Sequence, residues 1–174
     1  MLYFSLVHSY IMYCLPLLSI LNIGEINQLL KLQKKAIRQV FNTNYNAHCD
    51  PLFIQLNVLP ITLLLQFEIL KFMQYLDSYH KPNFFLQTWK SVGEVTNNYA
   101  LRNSEDYYVP RLTKVEFERH PLYFFPNIWN KLDKSLNIME RKDFLKQLKA
   151  HFMDSLKNEC DIPNCHICIS NYQA

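Results

Sequence analysis

The sequence predicts a mainly α-helical fold, a bundle of about four to five helices with a small β-hairpin near 107–125. Three observations carry that expectation. Residues 25–41 place apolar side chains at helical spacing, residues 61–79 are apolar on almost every side, and Phe144, Leu148, Phe152 and Leu156 share one line of a helix drawn over 137–158. A chain of 174 residues fits one domain with a sizeable core, and a hydrophobic share of 49% with 14% aromatic excludes global disorder.

Composition also removes whole classes of function. Only 2 glycines, Gly24 and Gly93, are present, so no glycine-rich loop can cradle a dinucleotide or a nucleoside triphosphate. The net charge of +3 is mildly basic and decides little alone. An odd count of 5 cysteines, with Cys14 and Cys49 isolated, does not form a disulfide framework; a reducing, intracellular setting, cytoplasmic or nuclear, is expected.

Taken in order, Met1 to Ile23 is apolar apart from a few polar side chains and is as long as the roughly 20 residues that span a bilayer. No Lys or Arg precedes it, no small-residue cleavage site follows it, and Ser5, His8, Ser9, Pro16 and Ser19 form a narrow polar seam. A buried core helix, bent or ended near Pro16, is therefore expected, and a membrane anchor over 1–23 is the unlikelier alternative. A start in the middle of apolar sequence suggests a piece of a longer chain.

Asn22 or Gly24 opens the next helix. Turned at about 100° per residue, it sets Ile26, Leu29, Leu30, Ala36, Ile37, Val40 and Phe41 on one side. Lys31, Lys34, Lys35 and Arg38 fall opposite, at spacing i, i+3, i+4, i+7. Like charges at that spacing repel, so the row is either a solvated face or one that phosphates neutralise. NTNYNAH, 42–48, closes the helix with turn-forming residues. Asp50-Pro51 starts a short helix, Leu52 to Leu56, ending near Asn57, and Ile61 to Tyr79 follows as the central helix. His80 to Ser104 reads as a surface loop, and Tyr107 to Phe125 as the hairpin, on its aromatic and β-branched content. Asn137 and Glu140 stand at capping-box spacing for the last helix.

Chemistry is sparse. Glu105-Asp106 is the one adjacent carboxylate pair, no histidines have metalloprotease spacing and no serine sits in a nucleophile elbow. The chain by itself is not expected to be an enzyme, and no cofactor is required. Cys160, Cys165 and Cys168, with His166 among them, could hold zinc if His151 on the preceding helix served as fourth ligand, or could be unligated tail thiols.

Several blocks in order resemble the carboxy-terminal region, beyond the catalytic palm, of reverse transcriptases of non-LTR (LINE-type) retrotransposons. They are HSYIMY (8–13), LQKKAIRQVFNTNYNAH (32–48), PLFIQLNVLPI (51–61), EILKFM (68–73), NYALR (98–102), YVPR (108–111) and PNIWNKL (126–132). The resemblance implies a helical thumb-like region over 1–79, a loop-rich connection over 80–136, a C-terminal helix over 137–158 and a cysteine-containing tail over 159–174. It implies contacts from Lys31, Lys34, Lys35 and Arg38, and from Arg102 and Arg111, to the backbone of a primer-template duplex, without base recognition. Trp129 and Asn130 match a family step whose plainer reading is a buried anchor with its amide bonded to backbone. The family's paired catalytic aspartates are absent from this chain, so the missing palm region is an implied partner. Leu101, Phe125 and Asp133 depart from the family pattern. The reading to test is thus a palm-less fragment of an RNA-directed DNA polymerase that binds nucleic-acid backbone. Its rivals are a helical protein-interaction module and a small protein anchored by 1–23.

Overall fold

A capping box opens the helix that carries the basic row. Asn22 Oδ1 accepts from the Glu25 backbone N–H at 2.9 Å, and Glu25 Oε2 accepts from the Asn22 N–H at 2.8 Å, which satisfies two otherwise orphaned donors and stabilises a helix start by about 1 kcal/mol. The computed structural model describes residues 3–78, 82–96, 103–111, 115–137 and 139–158; among these the chain is mainly helical and forms no strand. A π-helical turn, Phe4–His8, leads into α1 (Ser9–Met12) and a 3₁₀ helix, Leu15–Ile20. Then come α2 (Ile23–Val40), α3 (Asp50–Leu56), α4 (Ile61–Ser78), α5 (Asn83–Thr88) and α6 (Val92–Val95). A 3₁₀ turn, Val115–Arg119, precedes α7 (Pro121–Asn130), α8 (Lys134–Asn137) and α9 (Arg141–Asn158).

The mostly apolar α4 lies at the centre, with α2, α7, α9 and the 3₁₀ helix Leu15–Ile20 packed around it. Ile61, Leu64, Leu65, Ile69, Leu70, Met73 and Leu76 of α4 are buried together with Phe144, Leu148, Phe152 and Leu156 of α9. A second, smaller core joins Ile37 of α2 to Leu52 and Phe53 of α3, Val58 and Tyr3. Pro51 occupies the first turn of α3, and Asn57 ends it in the left-handed region at φ 54°, where asparagine is among the best tolerated non-glycine residues. No single helix among the described residues is long and apolar enough to cross a membrane. The pair α3 and α4, bent by 45°, passes by length and composition alone, and most of α4's apolar surface is used up in the core.

Five expectations need correction. Among the described residues nine α-helices and three π or 3₁₀ segments replace the four to five helices expected, and the stretch 80–104 expected as a surface loop carries α5, α6 and the buried Trp89. The segment 3–23 breaks near Pro16 as expected, the chain leaving helical geometry at Tyr13, Cys14 taking φ 52° and Pro16 entering the first turn of the 3₁₀ helix, but it is not the buried core helix expected. Tyr3, Leu15 and Ser19 are buried there, whereas Leu6, Tyr10, Tyr13, Leu17 and Ile20 are exposed. The hairpin at 107–125 is absent from its described residues, 112–114 lying outside them. Tyr107 instead makes an isolated antiparallel bridge to Ser91, and Pro121 at the first helical position opens α7. Proline pre-sets helical φ there, and His120 Nδ1 accepts from the Leu122 N–H at 3.3 Å, so aromatic residues that suggested alternation wind at helical period. The last helix starts at Arg141, not Asn137. Asp133 caps a separate turn, its Oδ1 accepting from the Ser135 N–H at 3.0 Å, and this turn ends at Asn137.

Candidate nucleic-acid interface

Because Ile26, Gln33 and Ile37 turn inward, α2 presents its opposite side to solvent. Lys31 and Lys35 are exposed there and Lys34 is half-buried. Lys34 borders a cavity of about 310 Å³ with Leu30, Asp50, Pro60 and Leu156. Among the described residues no carboxylate pairs with any of these three lysines. Arg38 differs. It is half-buried, its Nε donates to the Ala47 carbonyl at 2.9 Å, and its guanidinium carbon lies 5.8 Å from the Tyr45 ring centroid. The Arg38 carbonyl also accepts from the Thr43 N–H at 3.0 Å. Arg38 thus closes the turn behind α2, and the outward cationic face is a lysine triad rather than a row of four.

The cysteine beside this turn is structural. Cys49 Sγ lies 3.7 Å from the Ala47 carbonyl and 3.8 Å from that of Lys34, and burial pushes its thiol pKa up, which disfavours the thiolate a nucleophile requires. His48 Nε2 contacts Asp50 Oδ2 at 2.9 Å on the same turn.

Of the remaining expected site residues, the described ones, Arg111 and His151, lie outside α2. Arg111 is exposed on a segment held elsewhere in the fold by Tyr107, and Arg102 lies outside the described residues. Cys160, Cys165 and Cys168 also lie outside them. His151 is exposed on α9, and among the described residues no group of three or more His, Cys, Asp or Glu side chains could hold a metal ion.

Trp129 and Asn130 match the plainer reading. Trp129 is buried with its ring centroid 6.2 Å from that of Phe144. The Asn130 amide donates through Nδ2 to the Tyr107 carbonyl at 2.7 Å and accepts through Oδ1 from the Tyr107 N–H at 3.0 Å. Beside them a cavity of about 350 Å³ is bordered by Asp77, Glu94, Glu105 and Asp106. Three of these carboxylates have structural partners: Asp106 pairs with Lys134 at 3.0 Å, Glu94 completes the capping box of α6 with Ser91, and Asp77 accepts from the Tyr107 hydroxyl at 3.2 Å. Asp106 ties the segment 103–108 to α8 and Asp77 ties it to α4, while the Glu94 bond is local to the start of α6.

These elements define a helical bundle in which α2 presents a basic outer face. Comparison with known proteins finds no family model, no curated protein and no solved structure that matches the chain. Sequence reasoning missed Ala47 and Tyr45 as the partners of Arg38. The available signal was an arginine in the last helical turn before a turn-forming run, where long cations bond nearby carbonyls.

Proposed function

We propose that this chain is a palm-less fragment of a retrotransposon-type reverse transcriptase that binds the backbone of a primer-template duplex through α2, without reading sequence and without polymerising. The observation that carries the reading is the outward triad Lys31, Lys34 and Lys35, which has no carboxylate partner among the described residues and stands on a helix anchored by its opposite face. Arg111 and Arg102 are further contacts in this reading. Phosphates that neutralise the triad release their counter-ions, so three contacts correspond to a log–log salt slope of about −2.7. The expected result is binding of an RNA–DNA duplex with that slope, lost in the Lys31→Gln/Lys34→Gln/Lys35→Gln variant. An unchanged slope in the variant would move the contact elsewhere.

A second reading, a helical protein-interaction module, is favoured by one observation. Tyr10 and Tyr13 are 80% and 79% exposed, and Leu6, Leu17, Ile20 and Ile23 stand out beside them in a segment with no Lys, Arg, Asp or Glu before Glu25. Exposed apolar side chains in such number mark contact surfaces. Replacing Leu6, Tyr10 and Leu17 by serine is expected to raise solubility of the isolated chain with its helical circular dichroism unchanged; loss of the helical signal would mean that the segment serves the fold instead.

A further inference from the structure

We propose that the groove along α4, between the start of α2 and helices α7 and α9, docks a helix of a partner protein whose apolar stripe is flanked by carboxylates. The groove consists of two adjacent cavities, about 180 Å³ and about 290 Å³, that follow one another along α4 with Gln66 and Phe124 lining both. The first is walled by Ile23, Ile26 and Leu65, the second by Leu70, Ile128 and Phe152. Between Thr62 and Leu70 the groove follows α4 for about 12 Å at 1.5 Å per residue, room for an apolar stripe at i, i+3 or i+4 and i+7.

The permanently charged side chains of the rim, Arg119 and Lys131, have one sign, and His151 stands beside them. Arg119 lines the first cavity, Lys131 and His151 line the second, and no carboxylate among the described residues borders either. Arg119 supplies a second, separate signal. Its Nε is buried and has no hydrogen-bond acceptor among the described residues, while its guanidinium carbon sits 5.7 Å from the centroid of the Phe124 ring that both cavities share. A buried guanidinium donor left unpaired is costly, and a carboxylate brought by the occupant would satisfy it.

The charge of the rim also selects against a second copy of this chain. The exposed side of α2 beyond Gln28 carries Lys31 and Lys35 and no carboxylate, and α9 sets Lys142 and Lys146 beside Asp143, so neither presents an apolar stripe flanked by carboxylates alone. None of Lys31, Lys34 and Lys35 borders the groove, so the proposal stands apart from the nucleic-acid reading.

The test uses the full chain and two fluorescein-labelled designed helices of about 14 residues, identical in their leucine stripe and carrying glutamate or lysine on either side of it. Fluorescence anisotropy should show the glutamate peptide binding at least about tenfold more tightly than the lysine peptide, with methyl resonances of Ile128 and Leu132 shifted. Lys131→Glu/His151→Glu, both changes at exposed positions, should reverse that preference with circular dichroism unchanged. Equal binding of the two peptides, binding of neither, or a variant that behaves as the native chain would overturn the proposal. Dimers in sedimentation that the double variant disperses would assign the groove to a second copy and overturn it equally.

Discussion

Gln33 ties three parts of the chain together with one amide. It is 1% exposed in the middle of the buried side of α2; its Nε2 donates to the Tyr3 hydroxyl at 2.9 Å and to the Leu59 carbonyl at 3.2 Å, and its Oε1 accepts from the Ile61 N–H at 2.8 Å. The last bond satisfies one of the orphan donors at the start of α4. Gln33→Leu keeps the size but strands these partners in the core, and is expected to cost about 2–4 kcal/mol, read as a lower urea midpoint at unchanged m-value. His8 makes a pH-dependent contribution. Burial lowers its pKa, with Glu68 acting upward and Lys149 downward, and its Nδ1 is buried without a hydrogen-bond partner among the described residues. A depressed folded-state pKa means that protonation favours the unfolded chain. The contribution is therefore present above the ordinary value of 6.5 and is lost as pH falls below it. The melting temperature should fall between about pH 7.5 and about pH 5 by more in the native chain than in His8→Gln; equal falls would assign the loss to other groups.

At the scale of elements, α7 shows how a helix accommodates an internal proline. Pro126 has no N–H to give to the carbonyl of Leu122, four residues earlier, and the Trp89 indole Nε1–H donates to that carbonyl at 3.3 Å. The same indole stacks on Phe85 of α5 at 4.9 Å between centroids and lies 6.2 Å from Phe125, so one side chain repairs α7 and fastens α5 to it. A double-mutant cycle is the test. Trp89→Phe should cost about 1 kcal/mol more when residue 126 is proline than when it is alanine, whose own N–H can reach Leu122. Additive costs would show that the indole bond does not replace the missing one. Gly93 has a comparable local reason: its N–H donates to the Ser104 carbonyl at 3.0 Å, and a Cβ there would meet that oxygen at 3.2 Å.

For the molecule as a whole, three surfaces face outward with different chemistry: the lysine face of α2, the apolar N-terminal segment and the cation-rimmed groove along α4. The salt titration, the serine variants and the peptide pair address them one at a time, because they share none of the residues those experiments change. The lysine triad was legible in the sequence, since the same 3.6-residue period that buries Ile26 and Ile37 fixes what stands opposite them. The loss of Arg38 from that face was only hinted at by its place in the last turn of α2, because its acceptor belongs to the turn that brings Ala47 back against the helix. The groove was not legible either, since its walls come from four helices far apart in sequence.

The sequence by itself determined α2, α3 and α4 and the buried row of α9, because caps, a proline at the first turn and apolar periodicity act within a few residues of one another. Only the tertiary structure decided that 3–23 is largely outward-facing, that 121–125 opens a helix instead of closing a hairpin, and which polar side chains are used up inside. Those outcomes depend on which acceptor or apolar surface the folded chain brings within reach, and neither composition nor local period specifies that.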